Sequence, residues 1–252
     1  MTKVKALFKT DTGRIRLNNE DNGGTFVNKD GQYLAIVADG MGGHLAGEVA
    51  SGMTISLLKD LWEQTDGFKT AEQAENWLKS SIVQVNKSLF EHSLTNKECE
   101  GMGTTIEAVI ATDNFTSIAH VGDSRCYILN ESGFKQLTDD HTLVNELVRT
   151  GTITKEAAEH HPRKNVILRA LGTEQDVKID TKTIIFEEGD YLLLCSDGLS
   201  NKVSEEEMVD TLQSEISLEE KSSRLIQLAN EYGGEDNITL IILEFNGENE
   251  RG

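Results

Sequence analysis

Four acidic residues stand where apolar runs meet glycine or serine, and their placement is the part of this sequence that carries chemistry. Leu34-Ala-Ile-Val-Ala runs straight into Asp39, followed by Gly40-Met-Gly-Gly43-His44. Ile118-Ala-His-Val-Gly leads to Asp123, and Tyr191-Leu-Leu-Leu-Cys-Ser leads to Asp197. Gly233-Gly-Glu-Asp236-Asn-Ile-Thr-Leu-Ile-Ile-Leu243 reverses the order, with the acid just ahead of the apolar run. A short apolar run reads as a buried strand, so each carboxylate falls where a strand enters or leaves the core. A carboxylate there has to be ion-paired, protonated or bound to metal, because an unpaired buried charge is too costly. Gly40, Gly42 and Gly43 leave the backbone beside Asp39 bare, which permits close approach of a ligand. Carboxylates drawn from distant strand ends meet only through the fold, and converging hard oxygens suit Mg²⁺ or Mn²⁺.

The elements that must position these acids are mostly short strands. Residues 4–8 read as a strand leading into the polar stretch Asp11-Thr-Gly-Arg14-Ile-Arg16-Leu-Asn-Asn-Glu20-Asp21. Residues 25–28 and 33–38 flank a Lys-Asp-Gly turn of hairpin type. Ala46, Ala50, Met53, Leu57 and Leu61 recur at helical spacing as far as Trp62. Ala74, Leu78, Ile82, Val85 and Leu89 mark a second long helix, and both stripes suit packing on a sheet. Residues 104–111, 117–121, 125–129 and 134–137 follow as strands whose short connections imply antiparallel neighbours. From His141 to Leu171 the pattern changes to short helical pieces around the single proline, Pro162, and reads as an insertion. Strands resume at 178–186, 191–195 and 238–245, with helices at 204–212 and 218–232. No repeat or linker stands out, so the expectation is one domain over residues 1–252.

A chain of 252 residues can enclose one large core. Its 43 acidic residues against 24 basic ones leave a formal net charge of −19. That argues against nucleic acid, whose phosphates need Lys and Arg, and against an anionic membrane surface. Cys99, Cys126 and Cys195 are isolated, and no Cys-x-x-Cys occurs that would indicate zinc or redox chemistry. A cysteine phosphatase needs Arg six positions after its nucleophile, where Thr105, Ser132 and Asn201 stand instead. The N-terminus lacks an apolar core of secretory length. The longest apolar runs, about five residues, fall far short of the roughly 20 that span a membrane. A soluble protein in a reducing, cytoplasmic setting is expected.

Six segments occur in a telling order: Arg16-x-x-Asn-Glu20-Asp21, Val37-Ala-Asp39-Gly-Met-Gly-Gly-His44, Gly101-Met-Gly-Thr-Thr105, Gly122-Asp123-Ser-Arg125, Ser196-Asp197-Gly and Glu235-Asp236-Asn237. That order resembles the metal-dependent protein phosphatases of type 2C, over about residues 4–245, and in particular the compact bacterial members that oppose eukaryotic-type serine/threonine kinases. Asp-Gly alone is a common turn; the whole series is not. The resemblance implies an α+β fold, with two antiparallel β-sheets in a sandwich flanked by helices on both sides (αββα). Residues 141–171 would be a small helical flap beside a metal centre. It also implies hydrolysis of phosphoserine and phosphothreonine esters by direct attack of a water or hydroxide bridging two Mn²⁺ or Mg²⁺ ions. Such a pair acidifies the water and clamps an in-line displacement at phosphorus. Carried over, Asp39 bridges the ions, Asp197 and Asp236 complete the first, and the Gly40 carbonyl binds the second. Glu20 reaches the second ion mainly through water, and Asp123 shares a third, weaker ion with Asp197. The planar fork of Arg16 takes two phosphate oxygens. The implied partners are phosphorylated proteins and a cognate kinase, with the phosphatase a monomer.

The residues leave several choices open. Arg14 competes with Arg16 for the phosphate, and spacing to Asn19-Glu20-Asp21 favours Arg16. Asp123 either holds an ion or pairs with Arg125 to close a hairpin. His44 either protonates the leaving alkoxide or merely neighbours a helix N-cap. Relatives with a histidine acid place it directly after Asp-Gly, whereas here Met-Gly-Gly intervenes. His160 and His161 read as surface residues of the insertion. The flap reads as a cap over Leu143, Leu147 and Val148 that also meets substrate through Arg163 and Lys164. Rival functions are a phosphatase of small phosphate esters and an inactive regulatory domain of the same fold, the latter disfavoured by the complete set of acids.

Overall fold

Strands with apolar residues on both faces decide the architecture, because each face must be covered. In β3 (Tyr33–Met41), Leu34, Ile36 and Ala38 enter one core while Ala35 and Val37 enter another. The same division recurs in β10 (Tyr191–Cys195), between Leu192 and Leu194 on one face and Leu193 and Cys195 on the other. The computed structural model describes residues 4–43 and 45–246. It contains two antiparallel sheets stacked face to face. One has the order β1 (Val4–Asp11), β11 (Ile238–Phe245), β10, β7 (Arg125–Asn130), β8 (Gly133–Gln136). The other runs β2 (Asp21–Val27), β3, β5 (Ile106–Ala111), β6 (Thr116–Val121), β9 (Asp180–Ile184), with the short β4 (Gly103–Thr104) paired to the end of β3.

Helices cover both outer faces. α1 (Ala46–Trp62) and α2 (Ala71–Thr95) lie on the second sheet, burying Leu58, Trp62, Leu78, Ile82 and Leu89. α6 (Glu205–Gln213) and α7 (Leu218–Glu231) lie on the first, burying Met208, Leu212 and Leu225. Thr70, Ser204 and Ser217 start α2, α6 and α7 with reciprocal capping boxes, which satisfy orphan amides at each N-terminus. The expected sandwich with helices on both sides is therefore present. Among the described residues no helix is long and apolar enough to cross a membrane.

Three details differ from the sequence expectation, each for a local reason. β1 runs on to Asp11 and β2 begins at Asp21, so residues read as a polar loop are strand. Gly23 hides that pairing, since it gives no alternation; a Cβ there would lie 2.7 Å from the Phe8 ring and 2.7 Å from the Ile36 carbonyl. Second, Asp197 opens a four-residue helical turn, α5 (Asp197–Ser200), too short to show periodicity. Third, α3 (Leu143–Arg149) of the flap has no fully buried residue, so Leu143, Leu147 and Val148 are half-covered. α4 (Lys155–Glu159) completes the flap, whose two ends meet through Leu143 N–H to Val166 O at 2.8 Å and Leu168 N–H to His141 O at 2.7 Å.

Among the described residues a carboxyl–imidazole pair lies inside the sandwich. Glu107 on β5 and His120 on β6 are 0 % and 2 % exposed, with 2.9 Å between Oε2 and Nδ1, close enough for an ion pair although not aligned as a hydrogen bond. His120 Nε2 lies 3.1 Å from the Asp139 carbonyl and so must donate, so that a proton on Nδ1, facing Glu107, makes the ring an imidazolium. Burial pushes the Glu107 carboxyl up, and the carboxylate in turn holds the His120 proton. Glu107→Ala strands that imidazolium in the core and is expected to cost about 3–5 kcal/mol. Urea unfolding should show this as a lower midpoint at unchanged slope; a loss below about 1 kcal/mol would mean the pair is not charged.

Candidate metal centre

The end of β3 is held by its backbone, which leaves its carboxylate free. Asp39 sits opposite Asp21 in the β2–β3 ladder. Its N–H donates to Thr105 Oγ1 at 2.9 Å, and its carbonyl accepts from Thr105 N–H at 2.9 Å and Thr104 Oγ1 at 2.9 Å. Thr105 Oγ1 in turn shares a proton with Ser124 Oγ at 2.7 Å, coupling this strand end to the turn that carries Asp123. Gly40 follows where no side chain fits: a Cβ would come within 2.2 Å of the Gly47 carbonyl and 2.5 Å of the Glu20 carbonyl. The first turn of α1 thus packs directly on the strand end, and Ser51 Oγ donates to the Glu20 carbonyl at 2.6 Å.

Asn237 organises the opposite wall. Its Oδ1 accepts from Glu20 N–H at 2.8 Å, and its Nδ2 donates to the Thr12 and Asn18 carbonyls, both at 2.9 Å. One side chain therefore fixes Glu20, both ends of the loop that carries Arg16, and, by adjacency, Asp236. Arg16 Nη2 meets Asp236 Oδ2 at 2.8 Å. Asp197 stands at the start of α5, where Asn201 Nδ2 donates to it at 3.1 Å. Gly198 permits that turn, since a Cβ would reach 1.9 Å from the Asn237 carbonyl. Behind Asp39, the buried Asp21 accepts from Ser196 Oγ at 2.7 Å.

Arg16, Glu20, Asp39, Gly40, Asp123, Asp197 and Asp236 all line one cavity of about 270 Å³. A larger cleft of about 490 Å³ shares Asp123 and Asp197 with it and runs between the flap and α5. The carboxyls are pushed up by burial first and by one another second. Asp123 and Asp21 rise to about 7 and Asp197 to about 6, Asp39 lies well above the ordinary range, and Glu20 rises less. Asp123 Oδ1 is buried with no hydrogen-bond partner among the described residues. An unpartnered carboxylate oxygen on one of five acids that line the same cavity, beside a cradle only glycine can form, fits hard divalent cations. Among the described residues no three ligand-type side chains already close on a single point. The acids ring the cavity instead, a spacing suited to ions that keep several waters.

The open choices resolve in part. Arg16 lines the cavity, whereas Arg14 is tied by its N–H to the Gly234 carbonyl at 2.7 Å and does not line it. Arg125 forks onto Asp140, with Nε–Oδ1 3.0 Å and Nη2–Oδ2 2.7 Å, so Asp123 has no partner there. His160 is exposed and His161 half-buried. His44 lies outside the described residues. Asp21, Asn237, Thr105 and Ser196 were not singled out from sequence; all four belong to segments quoted above, but a buttress leaves no chemical signature distinct from its motif.

Comparison with known proteins agrees with this geometry. The family profile of protein phosphatase 2C matches residues 14–233. The serine/threonine phosphatase stp of Listeria welshimeri is 54 % identical over 243 residues, covering 96 % of each chain. The crystal structure of the serine/threonine phosphatase Stp1 from Staphylococcus aureus superimposes with a TM-score of 0.92 at 41 % identity, over 97 % of this chain and 96 % of that one. The catalytic domain of the serine/threonine protein phosphatase PstP, solved with two manganese ions, matches with a TM-score of 0.84 at 34 % identity, over 97 % and 99 %. With a fold, a ring of acids and relatives in agreement, the chain belongs to the protein phosphatase 2C family.

Proposed function

We propose that this chain is a Mn²⁺- or Mg²⁺-dependent phosphatase of phosphoserine and phosphothreonine in proteins, working as one domain in the cytoplasm against a serine/threonine kinase. The observation that carries the reading is the convergence of five carboxylates and Arg16 on one cavity, in a chain of this family. Asp39, Asp197, Asp236, Glu20 and the Gly40 carbonyl, which line that cavity, would hold two ions between them. Asp123, with its free oxygen, would share a third ion with Asp197. When bound, such ions acidify water and offset the charge of the phosphate.

The chain's own residues do the rest. Arg16 is about half exposed, and its fork can turn from Asp236 to two phosphate oxygens. Asp39 is fixed through its main chain, so its carboxylate holds position while the phosphorus inverts. Among the described residues no serine or cysteine lines the cavity, which suits direct attack by water. Lys164 of the flap lines the adjoining cleft and Arg163 does not, making Lys164 the better candidate for meeting a peptide. Small phosphate esters would be taken as well, since the cavity is open on the flap side.

Asp39→Asn is expected to abolish p-nitrophenyl phosphate hydrolysis while circular dichroism stays unchanged. Chelation should silence the wild type, and added Mn²⁺ should restore it. Normal turnover by the variant at saturating Mn²⁺ would defeat the bridging role.

Arg16→Ala should lower kcat/KM by about 2–4 kcal/mol with little change in Mn²⁺ affinity, as for a truncated charged hydrogen-bonding group. Arg14→Ala should do far less, and the reverse ranking would move the phosphate ligand to Arg14.

The raised carboxyls give a pH signature. Asp21 and Asp123 at about 7 and Asp197 at about 6 bind protons more tightly when folded than the ~3.9 of an unfolded chain. Such groups stabilise fully below about pH 4 and lose that contribution as pH rises through roughly 6–7. Metal-stripped protein should therefore melt several degrees lower at about pH 8 than at about pH 5.5, with Mn²⁺ raising Tm more at the higher pH. Equal Mn²⁺ shifts at both would show that these acids do not bind the ion.

A further inference from the structure

Exposed apolar residues stand next in sequence to residues of the acidic cavity's wall. Arg16 stands between Ile15 and Leu17, which are 65 % and 97 % exposed. Leu168, half exposed, follows Ile167 of the cavity wall, and the exposed Leu45 begins α1 three residues after Gly42 of the same wall. Exposed apolar side chains scattered singly carry no message. Three of these, Ile15, Leu17 and Leu168, instead flank residues that line one cavity, and two of them ride on a loop that is not free to collapse. The Arg14 and Ile15 amides both donate to the Gly234 carbonyl, at 2.7 and 3.2 Å. Asn237 ties the Thr12 and Asn18 carbonyls, and Asn19 Nδ2 donates to Thr10 Oγ1 at 2.8 Å. Gly13, with φ +81°, packs so tightly that a Cβ would sit 2.2 Å from the Asp236 carbonyl. The loop that displays Ile15 and Leu17 is thus fastened to the strand end that carries Asp236.

We propose that Ile15 and Leu17 determine substrate specificity by receiving an apolar side chain next to the phosphoserine or phosphothreonine of a protein substrate. The inference rests on the phosphatase reading above and adds the chemistry of the flanking residue. A phosphate gripped by Arg16 brings its own chain within reach of the residues on either side of Arg16. Those residues offer only aliphatic surface, which is stabilised by covering it with more of the same. In a chain of net charge −19, long-range attraction does not select an acidic flank, and contact has to do so. Leu17 touches almost nothing in the free protein, so its whole side chain is available to a partner.

The test is a cycle between enzyme and peptide. Phosphothreonine peptides identical except for leucine, serine or lysine beside the phosphoresidue are hydrolysed with Mn²⁺ by the wild type, Leu17→Ser, Ile15→Ser and, as a distant control, Val83→Ser on the outer helix α2. The wild type is expected to favour the leucine peptide about fivefold in kcat/KM, through KM, as partial burial of one leucine would give. Leu17→Ser should erase most of that preference and Ile15→Ser part of it, while Val83→Ser keeps it. All four should turn over p-nitrophenyl phosphate alike, since it carries no flanking residue. No preference for leucine, a preference for lysine, or equal losses on every peptide would overturn the proposal while leaving the phosphatase reading standing. Failure of the wild type to hydrolyse p-nitrophenyl phosphate with Mn²⁺ would bring down both.

Discussion

Carboxylates that repel one another are held together by the fold, and the rest of the structure answers to that opposition. Each of Asp39, Asp123 and Asp197 is pushed up by burial and then by its neighbours. What holds them is main chain. Thr104 and Thr105 bind the Asp39 peptide groups, not its carboxylate, and the β2–β3 ladder fixes it against Asp21. Asn237 fixes Glu20 through its N–H and leaves the carboxylate alone. A site selected for stability would spend donors on the charged oxygens, because an unmet buried acceptor is costly. Here an Asp123 oxygen has no partner among the described residues. That pattern makes sense for oxygens kept in reserve for a ligand.

Two arginines near the cavity illustrate how burial divides one residue type into two roles. Arg125 is locked into a bidentate fork with Asp140 and also donates to Tyr127 Oη at 3.1 Å. Its charge reaches Asp123 and Asp197 through space and lowers both, though by less than burial raises them. Among the described residues Arg16 makes one ion pair, with Asp236, and both side chains are partly exposed. Exposed pairs of that kind contribute little to stability, so exchanging Asp236 for a phosphate costs little. Arg125 is structural for the same reason that Arg16 is available.

The acids that make the site were legible because each terminates or precedes an apolar run. Asp39, Asp123, Asp197 and Asp236 could be ranked before any fold was known; apolar strands with short connections pointed to antiparallel sheets covered by helices, and the two-sheet sandwich came from the family resemblance. What stayed hidden was the support. Asp21 was read as loop, since the Asn22-Gly23-Gly24 stretch gives no alternation and only pairing with β3 defines the strand. The α5 turn spans too few residues for periodicity. Asn237 could be seen as part of a motif but not as the side chain that bonds three backbone groups from one short segment. Sequence patterns report burial of side chains well, and they report the satisfaction of backbone polar groups poorly.

The flap illustrates the same limit and its consequence. In sequence it is an interruption between strands; in structure its base is woven into the Asp123 turn. His141 N–H donates to the Gly122 carbonyl at 2.7 Å, and Gly122 N–H donates back to His141 Nδ1 at 3.1 Å. An accepting Nδ1 puts the ring proton on Nε2, where Asp180 lies 3.1 Å away. Burial and the neighbouring His120 hold this histidine down to about 4, so it stays neutral and the exchange with Gly122 is intact across the physiological range. Asp140 grips Arg125 and the Asp139 carbonyl meets His120, both a few residues from the same turn. Three consecutive residues, Asp139, Asp140 and His141, therefore tie the flap to the β6–β7 corner on three sides. A flap anchored in this way cannot swing at its base without disturbing the backbone that presents Asp123, so substrate contact with α3 or α4 and the geometry of the acidic ring are mechanically one problem.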